Sequence, residues 1–151
     1  KKLTVISSDP AKQRYGAVID FWGARIYPWI WSAGGEILDK SQQVCLLDRP
    51  AAQEALQFLV DLRLRQGVCP PNTYADKKTN IAVFTNGHAA MFQTGAWDIQ
   101  TMKDAKTLRG DVAPLPRRQQ HATLLGTENY AIAKGTKHPK EAWELFKFLL
   151  F

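Results

Sequence analysis

The chain has 151 residues, a formal net charge of +6, 45% hydrophobic and 23% charged residues, a balance that excludes disordered, collagen-like and disulfide-scaffold chains. A folded chain of about this size buries roughly 70% of the surface its unfolded form exposes, so a core needs neither metal nor cross-link. No apolar run approaches the roughly 18 residues that cross a bilayer as a helix.

Short apolar runs alternate with helical periodicity, which points to an α/β domain, α+β if taken in isolation, with a short-stranded sheet flanked by helices and one domain over residues 1–151. Residues 1–4 read as the end of a helix, 7–13 as a polar loop holding Pro10, and 15–19 as a buried strand. Residues 21–32 are densely apolar and run into Gly34 and Gly35, a helix C-terminus signal because glycine accepts the left-handed conformation required there. The next helix is capped by Asp48 and admits Pro50 in its first turn. It sets Ala52, Ala55, Leu56, Leu59 and Leu62 on one face before Gly67 stops it. Pro70 and Pro71 force a loop. A helix follows over 76–86, with Asp76 as cap, Ile81 and Phe84 inward and Gly87 as stop, then a short buried strand over 89–93. Residues 95–106 read as a helix, 112–115 and 130–133 as strands, and 117–122 as a basic loop. Pro139 opens a last helix whose Ala142, Trp143, Phe146, Leu149 and Leu150 share an inward face.

Cys45 falls in a predicted strand and Cys69 after a predicted helix end. Without Cys-x-x-Cys spacing the pair makes no zinc site, and two free thiols are favoured over a single bridge. Among the histidines, His88, His121 and His138 are too scattered for a helical metal pair, and no nucleophile elbow, phosphate loop or dinucleotide fingerprint is present. Catalysis by this chain is not expected, and neither is a cofactor. The lysines and arginines occur as short clusters, Lys77-Lys78, Arg117-Arg118 and Lys134 with Lys137 and Lys140, whereas a nucleic-acid groove needs a continuous basic stripe. They read as solvated surface.

Five Trp, four Tyr and seven Phe in so small a chain mean an aromatic core or an aromatic binding face. Tyr27, Trp29 and Trp31 admit both readings: on a helix Tyr27 and Trp31 are i,i+4 partners, and in an extended chain all three share a face. Trp97 is sharper. It follows Gly95 at a strand-to-helix turn, where glycine permits close approach and the new helix offers unpaired N–H donors. A flat indole beside free donors suits a sugar, with its apolar C–H face and rim of hydroxyls.

The succession Trp31-Ser32-Ala33-Gly34-Gly35-Glu36-Ile37, Asp48-Arg49-Pro50, Gln66-Gly67-Val68, then Phe84-Thr85-Asn86-Gly87-His88-Ala89-Ala90-Met91 resembles bacterial extracellular solute-binding proteins of the sugar-binding, maltodextrin-binding-like class. Gly95-Ala96-Trp97, Val112-Ala113-Pro114-Leu115-Pro116, Leu125 to Ile132 and His138-Pro139-Lys140-Glu141-Ala142-Trp143 continue the resemblance to the end. It departs at Leu125-Gly126, where many members have two glycines, and at His88, where they have another basic residue.

The resemblance implies a type II periplasmic-binding-protein lobe, most of the second lobe of a two-lobe receptor that closes on a saccharide by a hinge and serves an ATP-binding-cassette importer. The expected partners are a sugar or other small polar ligand, the permease subunits and the first lobe. The expected location is extracellular or periplasmic, anchored as a lipoprotein. Beginning at Lys1 and stopping at Phe151 within an apolar run, the chain reads as cut at both ends. Trp97 with Gly95, and Gly126 with Glu128, match ligand-facing positions. Tyr27, Trp29, Trp31 and then Tyr74 follow in lower rank, and Trp143 is assigned to the core. The alternatives are a glycerol phosphodiester, a polyamine or another polar solute on the same scaffold, and more remotely a carbohydrate-binding module or glycan-active enzyme.

Overall fold

Two short segments running in the same direction form the centre of the computed structural model, which describes residues 1–71, 77–106, 108–127 and 129–150, the side chains of 77–79 excepted. Tyr15 N–H donates to the His88 carbonyl at 2.8 Å and Ala90 N–H to the Tyr15 carbonyl at 3.0 Å. Three residues on, Val18 N–H donates to Met91 at 2.8 Å and Gln93 N–H to Val18 at 3.0 Å. A regular ladder repeats every two residues. Here Gly16 and Ala17 turn their N–H groups to the Val68 carbonyl instead, at 3.0 and 3.2 Å. Val68 comes so near that a Cβ on Gly16 would stand 2.9 Å from its Cγ1. The two expected strands are therefore paired in parallel, as bridges rather than a continuous ladder, but the second is not the buried strand expected: within 89–93 only Ala89 is buried and Met91 is 52% exposed.

The chain between them supplies the long crossover that a parallel pair requires. Helix α1 spans Gly23–Ser32 and α2 spans Pro50–Val60, running on through a π-helical turn, Asp61–Arg65. Helix α3 spans Lys77–Thr85. A 3₁₀ turn, Ala96–Asp98, then leads into α4, Ile99–Asp104, where one longer helix is expected from the sequence. Helix α5 is Pro139–Leu150.

The glycine stops expected after α1 and α3 take the same form. Gly34 has φ +79°, with its N–H on the Trp31 carbonyl at 2.9 Å and Gly35 N–H on Ile30 at 2.9 Å. Gly87 has φ +73°, with its N–H on Phe84 at 2.9 Å and His88 N–H on Val83 at 2.8 Å. Both are Schellman closures, which satisfy carbonyls that the helix leaves unpaired. The second releases the chain directly into the strand at residue 89.

The core is built by α1 and α2 beneath the parallel pair. Ala17, Ile19, Leu59, Val68 and Cys69 form one buried cluster, and Ile30, Ala33, Ala52 and Ala55 another. The small residues on α2 let the helices approach: a Cβ on Gly35 would stand 3.0 Å from the Ala52 nitrogen. Burial raises the Cys69 thiol to about 11, whereas Cys45, bridged opposite Leu38, is exposed; both are free thiols, as expected.

Several expectations fail. Residues 1–4 form a turn, with Thr4 N–H on the Lys1 carbonyl at 3.0 Å, not a helix end. Arg49 is the N-cap of α2, without a side-chain cap bond, and Asp48 instead pairs with Arg49 at 3.7 Å. Asp76 lies outside the described residues. Residues 112–115 and 130–133, expected as strands, form no strand or bridge among the described residues, Val112 being 85% exposed. Helix α5 forms as expected but buries none of its residues, and Trp143, assigned to the core, is 49% exposed. It stacks on Phe146 at 5.4 Å, with Tyr130 edge-on to the same ring at 6.3 Å. Amphipathic spacing shows which face of a helix needs cover, not whether the covering surface is at hand.

Candidate ligand-binding site

In α/β folds ligands bind beyond the carboxyl ends of parallel strands, where the chain turns into helices with unpaired N–H groups. Both parallel segments end alike here. Residues 15–19 pass through Asp20 and Phe21 to Trp22, the N-cap of α1, and residues 89–93 pass through Thr94 and Gly95 to Trp97 in the 3₁₀ turn. Both indoles point outward, Trp22 60% exposed and Trp97 63%. Fully burying a large apolar side chain contributes roughly 1.5–3 kcal/mol, so two uncovered tryptophans at one edge leave substantial apolar area open to a ligand.

A buried polar network lies beneath Trp97. Arg25 is 8% exposed and its Nη1 stands 3.6 Å from Oδ2 of Asp20, itself 5% exposed. The same nitrogen donates to the Gln93 carbonyl and the Thr94 hydroxyl, each at 3.4 Å, and the guanidinium carbon lies 4.8 Å from the centre of the Trp97 ring system. Gln93 joins both helix and strand: its amide N–H donates to the Arg25 carbonyl at 2.8 Å and its amide oxygen accepts Trp29 Nε1–H at 2.9 Å. Thr94 in turn donates its hydroxyl to the Asp98 carboxylate.

Gly95 has φ −118° and ψ 178°, ordinary extended backbone, so its role is not conformational. The outer edge of the Trp97 indole occupies the place a Cβ would take. The close approach expected at this glycine is made by the indole two residues on.

The other predicted residues divide. Trp29 is half-buried, packed on the first core cluster with its ring 6.1 Å from Phe58 and its N–H taken by Gln93, which makes it the wall behind the network. Tyr27 and Trp31 meet as an i,i+4 pair at 5.7 Å. Gly126 sits in open space, where an added methyl would meet nothing within 4 Å. Glu128 and Tyr74 lie outside the described residues.

The basic loop is more than solvated surface. Gln119 and Gln120 N–H donate to the Ser32 carbonyl at 2.8 and 3.2 Å, and Gln120 Nε2 to the Trp31 carbonyl at 2.9 Å, closing the end of α1. Arg118 pairs with Glu54, and this hydrogen bond lowers the Glu54 carboxyl below its usual value. A separate cavity of about 440 Å³ lies alongside, lined by Trp29, Ser32, Glu54, Phe58, Pro116 and Arg118 among others.

Sequence reasoning missed Trp22, Asp20 and Arg25. A signal for Trp22 exists: both strands are followed within a few residues by a tryptophan where the helical segment opens, a repetition hidden when 21–32 is read as a single apolar run. Among the described residues no group of His, Cys, Asp and Glu could hold a metal ion, and no helix is long and apolar enough to cross a membrane.

The chain is similar to known proteins. A curated relative, the maltotriose-binding protein of Pyrococcus abyssi, is 27% identical over 146 residues, 93% of this chain and 31% of the relative. Among solved structures, the maltose/maltodextrin-binding domain MalE from Bdellovibrio bacteriovorus, bound to maltotriose, superposes with a TM-score of 0.86 at 26% identity, covering 99% of this chain and 41% of that one. An ABC transporter solute-binding protein from Thermotoga lettingae, bound with α-D-tagatose, has a TM-score of 0.78 at 22% identity over 90% of this chain and 37% of its own, a likeness of fold. Maltose-bound MalE3 of T. maritima matches 70% of this chain and 29% of its own at 30% identity, with a TM-score of 0.57. The chain thus spans less than half the length of each. The family profile described as bacterial extracellular solute-binding protein matches residues 1–151, and the chain belongs to that family.

Proposed function

We propose that this chain is most of one lobe, the second, of a two-lobe carbohydrate receptor that delivers its ligand to the permease subunits of an ATP-binding-cassette importer, working outside the cytoplasmic membrane and anchored to it. The observation that carries the reading is the pair of outward tryptophans at the carboxyl ends of the parallel segments, Trp97 above all, with its ring held over Gly95 and Arg25. An exposed indole offers a sugar an apolar face, and the Thr94 hydroxyl and Asp98 carboxylate, bonded to each other within three residues of it, are polar groups that ligand hydroxyls could meet. The relatives named for maltotriose and maltose support a saccharide as the ligand.

Closure follows from differential affinity. A ligand held between two lobes contacts both only in the closed state, so binding shifts the hinge equilibrium toward closure by the energy of the added contacts. Gly126, Glu128, Tyr74, Tyr27 and Trp31 remain candidates for the cleft, below Trp97 and Gly95. A polyamine fits less well, because the acids beside the network, Asp20 and Asp98, are already engaged, by Arg25 and by the Thr94 hydroxyl. An anionic solute fits less well too, because Arg118 is engaged by Glu54.

The test is titration of the full-length protein with maltotriose, by calorimetry at two salt concentrations. Saturable binding indifferent to salt is expected, weakened about tenfold by Trp97→Ala, the upper range for one aromatic stack. Unchanged affinity in Trp97→Ala would overturn the site, and binding that collapses with salt would turn the reading toward a charged solute.

A further inference from the structure

Arg25 is a cation that the fold has withdrawn from water, and its polar contacts do not explain why. The distance to Asp20 is 3.6 Å and those to the Gln93 carbonyl and Thr94 hydroxyl are 3.4 Å, all at the long end of the range for such contacts. The contact nearest its optimum is with Trp97, whose ring centre lies 4.8 Å from the guanidinium carbon, well inside the roughly 6 Å at which a cation is drawn to an indole face. Arginine suits this place because its planar head stacks on an aromatic ring while its edge bonds elsewhere, which an ammonium cannot do. The flanking elements agree. Asp20 and Arg25 straddle the start of α1, Thr94 precedes Gly95, and the outer edge of the indole rests on Gly95.

We infer that Arg25 is a positioning residue for Trp97: clamped by Asp20 and residues 93–94, it covers part of the indole face and holds the remainder, open to solvent, at the carboxyl ends of the parallel segments. The consequence for ligand binding rests on the reading of Trp97 as the stacking ring; the positioning itself does not. By this arrangement the ring is oriented before a ligand arrives, so less ordering is left to binding.

Two variants of the full-length protein test it: Arg25→Lys, which keeps the charge and loses the planar head, and the pair Asp20→Asn with Arg25→Gln, which removes both charges so that no carboxylate is left orphaned in the core. The Trp97 signal is isolated in each background by subtracting the fluorescence of the same protein carrying Trp97→Phe. In both variants the Trp97 emission maximum and its quenching by acrylamide are expected to shift, with maltotriose affinity falling about threefold to tenfold and the other tryptophans unaltered. A Trp97 signal identical to the parent's in both variants overturns the positioning role, and with Trp97→Ala still weakening maltotriose binding, the ligand reading survives that result. A shifted Trp97 signal with affinity for maltotriose indifferent to Trp97→Ala supports the positioning role and overturns the ligand reading instead.

Discussion

Gly95→Ala separates the role of this glycine from the general effect of removing one. The backbone there, φ −118° and ψ 178°, is one that alanine adopts without strain, so the folded chain loses nothing in conformational energy. Replacing glycine narrows the unfolded ensemble, which by itself stabilises by about 0.4–1 kcal/mol. Against this, the new methyl would fall where the outer edge of the Trp97 ring lies, and the ring must swing away. The swing gives up the contact with Arg25, about 0.5–2 kcal/mol. The two terms nearly offset, and a protein of this size or larger shifts by no more than about 2–4 °C for each kcal/mol, so the thermal midpoint should move by only a few degrees. Binding has no such compensation. A displaced ring forfeits stacking of about 0.5–1.5 kcal/mol, a loss of about twofold to thirteenfold in affinity. The assay pairs thermal unfolding with maltotriose titration on the full-length protein, with Gly135→Ala as the control whose methyl meets nothing within 4 Å. Parental affinity in Gly95→Ala, with Trp97→Ala clearly weakened, would refute the argument that this glycine exists to seat the ring.

Two further perturbations test the scaffold. Gly34→Ala places a side chain at φ +79° and drives its Cβ to 2.5 Å from Gln119 Oε1, so it should destabilise by about 1–2 kcal/mol, read as a drop in the denaturant midpoint at unchanged slope. For the thiols, native alkylation at pH 8 should label Cys45 alone, and denatured protein should label both, because Cys69 is buried and its pKa is raised to about 11. The linkage has a definite sign. A thiol that holds its proton more tightly when folded contributes stability below its unfolded value near 9, lost as pH rises toward 11. Stability should therefore fall over that alkaline window, and Cys69→Ala should flatten the fall; an equally steep fall in the variant would refute the assignment.

The parts of the fold that the sequence made legible are those decided within a few residues. The glycine stops at 34 and 87 were readable because a Schellman closure is local chemistry, and both formed. The face of α2 was readable because Ala52, Ala55 and Leu59 repeat at helical spacing, and they are buried. The strands over 15–19 and 89–93 were readable as apolar runs, but their interrupted pairing was not, since it depends on Val68 drawing off the N–H groups of Gly16 and Ala17. The stretches at 112–115 and 130–133, which form no strand, show the converse: an apolar run specifies a strand only with a neighbouring edge to pair with, and no periodicity reports that neighbour.

The site divides along the same line. Trp97 could be singled out because Gly-x-Trp at a strand-to-helix turn is a local pattern. Trp22 was obscured, because a tryptophan at a helix N-cap looks like the start of the helix's own apolar stripe until the boundary is known. Arg25 could not be found at all: its partners, apart from Asp20, stand almost seventy positions away, and on the helix periodicity alone it is one more exposed cation. This asymmetry has a physical cause. A ring that meets a ligand must be displayed at a turn, and turns announce themselves by residue type. The groups that hold such a ring still are buried, and burial is a property of the whole fold. Binding residues of this kind are legible early, while the network that makes them effective is legible only once distant segments have met.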